Sequence, residues 1–366
     1  MNNYLFTISL LFCFILHCNG QERSFELKDF YRYDAALAYK VDSIYTSLTQ
    51  REQIAQMIIT SAGELGKPYK TVQKLVENNS IGGVVFLKGS KTQHTKNIKK
   101  LNAVSQNIAG LPLLFSMDAE PSLLSGRIKG SKEVGKTIAI KTEAQSNAVV
   151  QTINSELMAI GVHQNYAPVV DVSASNEAIK DRSYGSDKEQ VVALAKHFIT
   201  ATQNGGIIAT AKHFPGHGLV KGDTHKQSVY IDGELQEVNN YKPLIASGVL
   251  SIMIAHITIT NNEKYGTQGI PSSCSRTIVT DLLKNELQFK GIIISDALNI
   301  MKAVTILENA PLQASKAGCD LILMPQDEEA TIQSIAAELL KDSEYAKQVQ
   351  QSVKKILRLK ICAGLL

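Results

Sequence analysis

The residues best suited to chemistry lie in one glycine-rich stretch, AKHFPGHG at 211–218, followed by Asp223, Thr224 and His225. Its glycines and proline predict an irregular loop that presents Lys212 and His213 as hydrogen-bond donors. A carboxylate two residues from a histidine can hold the imidazole in one tautomer, as the aspartate of a catalytic triad does. Because imidazole can both give and take a proton near neutral pH, Asp223 and His225 are predicted to form an acid/base pair.

The same stretch allows two other interpretations. Three histidines, His213, His217 and His225, are enough to hold zinc. The dense glycines and the absence of a helical His-x-x-x-His pattern disfavour a metal, and we expect none. For each histidine taken alone, a solvated or structural role is the alternative to catalysis.

A second candidate for chemistry is Asp296, which ends the apolar stretch FKGIIISDAL at 289–298. A carboxylate at the end of a fully apolar strand must face a polar cavity or be paired. The alternative is a structural aspartate that caps the following helix. The stretch therefore predicts that Asp296 is a catalytic carboxylate or a helix cap.

Short β-rich apolar runs alternate along the chain with amphipathic segments of helical spacing. The eight runs are residues 56–60, 82–87, 113–118, 161–172, 206–213, 251–257, 291–296 and 320–324. Helices are predicted at 69–78, 142–160, 188–204, 234–248 and 277–287, with a closing helix at 344–366. Several runs are apolar on both faces, as in a buried parallel sheet. The pattern predicts an α/β fold, a single (β/α)8 TIM-like barrel with a C-terminal closing helix; a doubly wound open sheet is the alternative.

Polar residues stand at the C-terminal ends of five of these runs. They are Asp118, Asp171, the pair Lys212 and His213, His256, and Asp296. In a closed barrel the strand ends converge on one mouth, which is where barrel enzymes place their catalytic groups. This coincidence favours the barrel over the open sheet and predicts an active site at the mouth.

Composition narrows the class of protein. The chain has 366 residues, 44% hydrophobic and 20% charged, as in a soluble globular enzyme. Its 38 basic and 34 acidic side chains give a net charge of +4, and they form no basic stripe suited to nucleic acid. Cys274, Cys319 and Cys362 lie scattered in apolar segments without a CxxC, so we expect buried thiols.

The first 20 residues contain no Asp, Glu, Lys or Arg, and residues 4–16 are almost continuously apolar. A run of 13 is too short to span a bilayer but suits the core of a signal peptide. We expect a leader at 1–20, a catalytic domain over 21–366, and export to the periplasm or outer membrane. The alternatives are lipid attachment at Cys18, which would tie the protein to a membrane, and a buried N-terminal element.

Several motifs together resemble the bacterial β-N-acetylglucosaminidase branch of glycoside hydrolase family 3. They are NYAPVVD at 165–171, DRSYG at 181–185, KHFPGHG at 212–218, DTH at 223–225, SDAL at 295–298 and AGCDLILM at 317–324. The resemblance runs from residue 50 to the C-terminus. The Asp-Thr-His loop is specific to this branch, whereas the strand-end aspartate is shared more widely in the family.

The resemblance implies a retaining exo-glycosidase that releases terminal β-linked N-acetylglucosamine from glycans or peptidoglycan fragments, without a cofactor. Asp296 would be the nucleophile, and His225, oriented by Asp223, would be the acid/base. The sugar would be bound by five residues: Asp118, Arg127, Arg182, Lys212 and His213. Alternatives are another family activity, such as a β-glucosidase or an N-acetylglucosaminide phosphorylase, and a catalytically impaired sugar-binding protein.

Two departures from the family pattern lie near these residues. The pattern D-x-E-G-G-R-V is replaced by DAEPSLLSGRI at 118–128, a longer loop without the glycine pair. Arg127 is therefore a weaker assignment than Arg182. After Asp296, residues 297–302 hold one residue more than the family's D-A-L-N-M-K. Both changes are expected to alter the fit of the substrate or to weaken activity, without changing the fold.

Overall fold

The barrel predicted from the sequence is the fold of the chain. The computed structural model describes residues 24–108, 110–173, 176–220 and 229–366. In these residues, eight parallel strands form one sheet. They are β1 Ile58–Ala62, β2 Gly83–Phe86, β3 Leu114–Met117, β4 Gln164–Asn165, β5 Ile208–Phe214, β6 Ser251–Ile254, β7 Ile292–Ser295 and β8 Ile322–Leu323. The order is β7-β6-β5-β4-β3-β2-β1-β8, and a parallel bridge between Ile294 and Leu321 joins the two end strands. The sheet therefore closes, and the open-sheet alternative is wrong.

Helices follow the strands and cover the outside of the barrel. In the described part of the chain the α-helices are α1 Ala35–Ser47, α2 Gln50–Ala55, α3 Tyr69–Glu77, α4 Lys91–Asn107, α5 Leu124–Arg127, α6 Glu143–Ile160, α7 Lys188–Asn204, α8 Tyr241–Ala246, α9 Lys302–Thr305, α10 Ala310–Ala317, α11 Glu328–Leu339 and α12 Ser343–Cys362. A π-helix, Thr277–Glu286, precedes β7. Two short parallel ladders complete the set, one pairing Gly89–Ser90 with Ile128–Lys129 and the other Tyr230–Asp232 with Thr258–Thr260.

Two predicted elements differ from the structure, each because of a proline. The strand predicted at 161–172 is paired on both sides only at Gln164–Asn165. Pro168 has no N–H to donate, and the ladder resumes where the N–H of Val170 donates to the carbonyl of Lys212 at 2.7 Å. The helix predicted at 234–248 is a 3-10 turn, Val238–Asn240, followed by the short α8. Pro243 lies in the first turn of α8, where its missing N–H is tolerated, so a helix cannot continue through it from residue 234.

The closing helix α12 fixes the end of the barrel opposite the polar strand ends. Its side chains Val353, Ile356 and Leu357 are fully buried in the main apolar core. Lys360 of the same helix is also buried, and its Nζ donates to Gln56 Oε1 at 2.6 Å, to the Gly82 carbonyl at 2.9 Å and to the Pro112 carbonyl at 2.8 Å. These acceptors lie just before the first three strands, so one ammonium group joins three strand starts.

Within the described residues, no helix is long and apolar enough to cross a membrane. Cys274, Cys319 and Cys362 are buried free thiols, as predicted. The predicted leader at 1–20 lies outside the described residues, and export stays a prediction.

Candidate active site

The carboxyl ends of the strands surround a cavity of about 410 Å³. This volume is in the usual range of small-molecule sites. Six of the eight candidate residues line it: Asp118, Arg127, Arg182, Lys212, His213 and Asp296. The other two, Asp223 and His225, lie outside the described residues. The structure therefore brings together the predicted nucleophile and all the predicted sugar-binding residues.

Lys212 and Glu120 form the centre of a buried ion-pair network. Lys212 lies near the end of the barrel strand β5, and its Nζ lies 2.8 Å from Asp118 Oδ1 and 2.5 Å from Glu120 Oε1. Arg182 binds the same glutamate with both arms of its guanidinium, Nε to Oε2 at 2.7 Å and Nη2 to Oε1 at 2.7 Å. Burial alone would raise the pKa of Glu120, but the charges of Arg182 and Lys212 lower it to about 2. Glu120 is thus a carboxylate that holds two cations in fixed orientations.

Asp118 links this network to Arg127. Burial opposes ionisation of Asp118, yet Lys212 and Arg127 together hold its pKa below the ordinary value. Arg127 contacts it through Nη2 at 3.3 Å, a longer pair than the others. The Nε of Arg127 is buried and has no hydrogen-bond partner among the described residues. Arg127 also lines the cavity with a side chain that is 23% exposed, so its guanidinium can donate to a polar ligand there.

The altered loop after β3 still delivers Arg127 to the cavity. Residues 124–127 form the short helix α5 rather than a glycine-rich turn. Ser122 fastens the loop: its Oγ donates to the carbonyl of Asp181 at 2.8 Å and accepts from the N–H of Thr137 at 2.9 Å. The longer loop thus packs against the segment that carries Arg182 and places Leu123 in the cavity wall.

A second buried carboxylate, Asp171, orients His213. Its Oδ2 lies 2.7 Å from His213 Nδ1, and its Oδ1 accepts from the backbone N–H of His217 at 2.8 Å. Burial raises the pKa of Asp171, but the neighbouring His213 lowers it below the ordinary value. An ionised carboxylate only accepts hydrogen bonds, so Nδ1 of His213 carries the proton and Nε2 is left for another partner. The sequence placed Asp171 at a strand end but did not assign it this role.

Asp296, the predicted nucleophile, has different surroundings. It follows β7, and its Oδ1 accepts from the N–H of Ala297 at 2.7 Å. No salt bridge between described residues includes it. Burial raises its pKa, while His213 and His256 lower it, with a net result below the ordinary value. Asp296 is therefore ionised at neutral pH, and no cation in the described part of the chain forms an ion pair with it.

His256 holds the backbone beside Asp296. Its Nε2 lies 3.0 Å from the carbonyl of Ala297, and its Nδ1 lies 2.7 Å from the hydroxyl of Ser273. A carbonyl only accepts, so Nε2 donates and Nδ1 accepts from Ser273. Burial lowers the pKa of His256, which favours this neutral form.

Sequence reasoning missed Glu120 and Glu237. Glu120 stands two residues after Asp118, and its place in the family's D-x-E motif was a usable signal. Glu237 is 5% exposed and accepts from the backbone N–H groups of Val172 at 2.6 Å, Gly218 at 3.0 Å and Leu219 at 3.2 Å. Burial and then the charge of Asp171 raise the pKa of Glu237, whereas the three N–H groups from which it accepts lower it. Nothing in the polar segment around it distinguishes it from a surface glutamate.

Among the described residues, no group of three or more His, Cys, Asp or Glu side chains is placed to hold a metal ion. His213 and His217 lie near each other, with ring centroids 6.0 Å apart. The third member of the zinc interpretation, His225, lies outside the described part of the chain.

The fold is a closed α/β barrel whose mouth holds oriented cations and an aspartate that forms no ion pair with another described residue. This arrangement is typical of barrel enzymes that act on small polar substrates. Residues 49–359 match the family model described as the glycosyl hydrolase family 3 N-terminal domain. A beta-hexosaminidase of Glaesserella parasuis is 30% identical over 277 residues, which are 71% of this chain and 78% of that protein. The chain belongs to glycosyl hydrolase family 3.

Solved structures agree with this assignment. A family 3 beta-N-acetylglucosaminidase from Paenibacillus sp. superposes with a TM-score of 0.79 at 27% identity, over 87% of this chain. The match covers 63% of that protein, so this chain spans less than two thirds of it. A beta-N-acetylhexosaminidase from Beutenbergia cavernae has a TM-score of 0.75 and 23% identity, over 85% of this chain and 98% of its own. The second comparison shows the fold alone.

Proposed function

We propose that this protein is a retaining exo-β-N-acetylglucosaminidase that hydrolyses terminal β-linked N-acetylglucosamine. The observation that carries the proposal is Asp296: an ionised carboxylate without an ion pair to any described residue, in the same cavity as the oriented Lys212, Arg182 and His213. The names of the relatives, beta-hexosaminidase and beta-N-acetylglucosaminidase, support this choice of sugar.

In the first step, a carboxylate oxygen of Asp296 attacks the anomeric carbon while the bond from that carbon to the leaving oxygen breaks. His225, held by Asp223, gives its proton to the leaving oxygen. In the second step, His225 takes a proton from water, and the water oxygen displaces Asp296 from the anomeric carbon. The products are free N-acetylglucosamine and the shortened glycan, and the carboxylate and the imidazolium are restored.

The charged network supplies the binding of the sugar. Lys212 and Arg182 are held by Glu120, so they do not lose side-chain freedom when they contact the hydroxyl groups. Asp118 offers acceptor lone pairs, and the guanidinium of Arg127, which lines the cavity, offers donors. Contacts of this kind fix the ring against the nucleophile and can tighten in the transition state.

The first test compares wild type with D296A on an aryl β-N-acetylglucosaminide, with the aryl β-glucoside as control. We expect turnover of the first substrate only, and its loss in the variant. Inorganic phosphate added to the wild-type reaction distinguishes hydrolysis, which gives the free sugar, from phosphorolysis, which gives the sugar 1-phosphate. Folded wild type without turnover would favour the catalytically impaired sugar-binding protein instead.

The acid role of His225 has its own test. H225A should lower kcat/KM on a substrate with a poor leaving group by about 100-fold or more, and much less on a dinitrophenyl glycoside, which needs little protonation. Equal losses on both substrates would contradict the assignment.

The proposal includes export. The uncharged apolar leader, with residues 4–16 as its core, supports secretion, and peptidoglycan or chitin fragments are then accessible substrates. Cell fractionation, with mass spectrometry of the mature N-terminus, tests cleavage after Gly20 against lipid attachment at Cys18. A protein recovered uncleaved in the cytoplasm would contradict export.

A further inference from the structure

Glu237 lies against two segments near the barrel mouth, one around Gly216 to Leu219 and the other at Val172. The side chain is buried, and both of its oxygens are used. Oε2 accepts from the N–H groups of Gly218 and Leu219, and Oε1 accepts from the N–H of Val172, the residue after Asp171. One carboxylate thus joins its own segment to the residues after His217 and to the strand-end segment that carries Asp171.

Asp171 and Glu237 bind successive amides of one segment, residues 213–220, which we call the histidine loop. Asp171 takes the backbone N–H of His217 at 2.8 Å, and Glu237 takes the next two, those of Gly218 and Leu219. Backbone amides that converge on carboxylates form strong, charge-assisted hydrogen bonds. The two acids therefore fix the backbone of residues 217–219.

Gly216 shows how closely the histidine loop approaches Glu237. A Cβ at this position would lie 2.4 Å from the Cβ of Glu237, and its φ of +128° is one that other residues rarely adopt. Glycine is thus required both for the conformation and for the contact. The close approach of Gly216 and the hydrogen bonds of Gly218 and Leu219 thus both hold the histidine loop against Glu237.

We propose that Glu237 is a positioning residue for proton transfer: it fixes the histidine loop, and through it the point from which the chain runs on to Asp223 and His225. Asp223 is three residues beyond Val220, the last described residue of the histidine loop. The inference rests on the proposed function, because it assigns Glu237 to the acid step of that reaction. A glutamine cannot replace the carboxylate, since its amide nitrogen would face an N–H group instead of accepting from it.

The test compares E237Q with E234Q on two β-N-acetylglucosaminides, N,N′-diacetylchitobiose and the 2,4-dinitrophenyl glycoside. Glu234 is an exposed carboxylate of the same segment and serves as the matched control. E237Q should lower kcat/KM on the disaccharide by about 10-fold or more, a fraction of the roughly 100- to 10,000-fold that a general acid contributes. On the dinitrophenyl glycoside the loss should stay within about 3-fold, because that leaving group departs without a proton. E234Q should match wild type on both.

H225A and G216A complete the experiment. H225A measures how much more kcat/KM falls on the disaccharide than on the dinitrophenyl glycoside when the acid itself is removed. If H225A shows no such difference, both the acid assignment of His225 and this inference are overturned. If H225A shows the effect and E237Q does not, or if E237Q loses equally on both substrates, Glu237 is not a positioning residue and the proposed function stands. G216A keeps the carboxylate but displaces it, and should show the same preference for the activated substrate. If E237Q does not fold, G216A serves as the test in its place. Equal losses of kcat/KM on the two substrates in G216A would then overturn the inference.

Discussion

Replacing Glu120 by glutamine should destabilise the folded protein strongly, although the change removes no volume. Glu120 is 1% exposed and bonded to Arg182 at 2.7 Å and to Lys212 at 2.5 Å. These cations lower its pKa from 4.5 to about 2. A shift of this size corresponds to about 3 kcal/mol of stability at neutral pH. Loss of one member of a buried ion pair costs roughly 3–5 kcal/mol, which agrees with the stability inferred from the pKa shift.

Urea unfolding at pH 7 of wild type, E120Q and E64Q measures the effect. Glu64 is the matched control because it also pairs with two cations, Lys129 at 3.0 Å and Lys88 at 3.6 Å, but its side chain is 45% exposed. Exposed pairs contribute little, so E64Q should unfold at nearly the wild-type midpoint. E120Q with wild-type stability, or an equal loss in E64Q, would refute the reasoning.

The pH dependence of the same comparison has a definite sign. The pKa of Glu120 is lowered in the folded protein, so its stabilisation is complete above the ordinary value of 4.5 and is lost as pH falls toward 2. The difference in unfolding free energy between wild type and E120Q should therefore shrink across that interval. A difference that stays constant from pH 5 to pH 2 would mean that charge is not the cause.

The remaining predictions concern the cations. R127A should raise KM with little change in stability, because Arg127 makes one long ion pair. R182A should raise KM and also lower the unfolding free energy by about 3 kcal/mol, because Glu120 stays buried without its bidentate partner. Steady-state kinetics and urea unfolding of both variants distinguish an effect on binding from an effect on stability. Equal destabilisation of R127A and R182A would contradict the prediction. K360M should lower the unfolding free energy by about 2–4 kcal/mol, because three acceptors, two of them fully buried, lose their donor. K347M, at a lysine that is 66% exposed, should change the stability little. Calorimetric melting checks this pair, and a neutral K360M would show that the acceptors find other partners.

The barrel could be read from the sequence because its signals are local. Runs such as 291–296 are apolar on both faces, and the observed strand Ile292–Ser295 differs from the prediction by one residue at each end. Placing Asp118, Lys212 and Asp296 at one mouth needed only the rule that parallel strand ends converge. The errors came from prolines that changed local pairing, at Pro168 and Pro243, without changing the order of the elements.

The side-chain contacts within the site could not be predicted from local sequence patterns. Glu120 meets Arg182 across 62 positions of sequence, and Glu237 meets Val172 across 65. These pairs exist only because the closed sheet brings neighbouring strand ends together. A glutamate in a segment as polar as 234–237 is typical of a surface, and its burial depends on the return of the chain across Gly216 and Gly218. Such residues need the fold before their role can be inferred.

The carboxylates at the barrel mouth differ in role because they differ in partners. Asp118 and Glu120 use their oxygens on Lys212, Arg127 and Arg182, and a carboxylate held in this way orients cations but is poorly placed to attack carbon. The pKa of Asp296 lies below its ordinary value although no described cation forms an ion pair with it, and one of its oxygens takes no hydrogen bond from a described residue. A nucleophile needs a charged oxygen with an available lone pair. The environment therefore separates the binding acids from the reacting acid, although all are aspartate or glutamate at the ends of strands in one barrel.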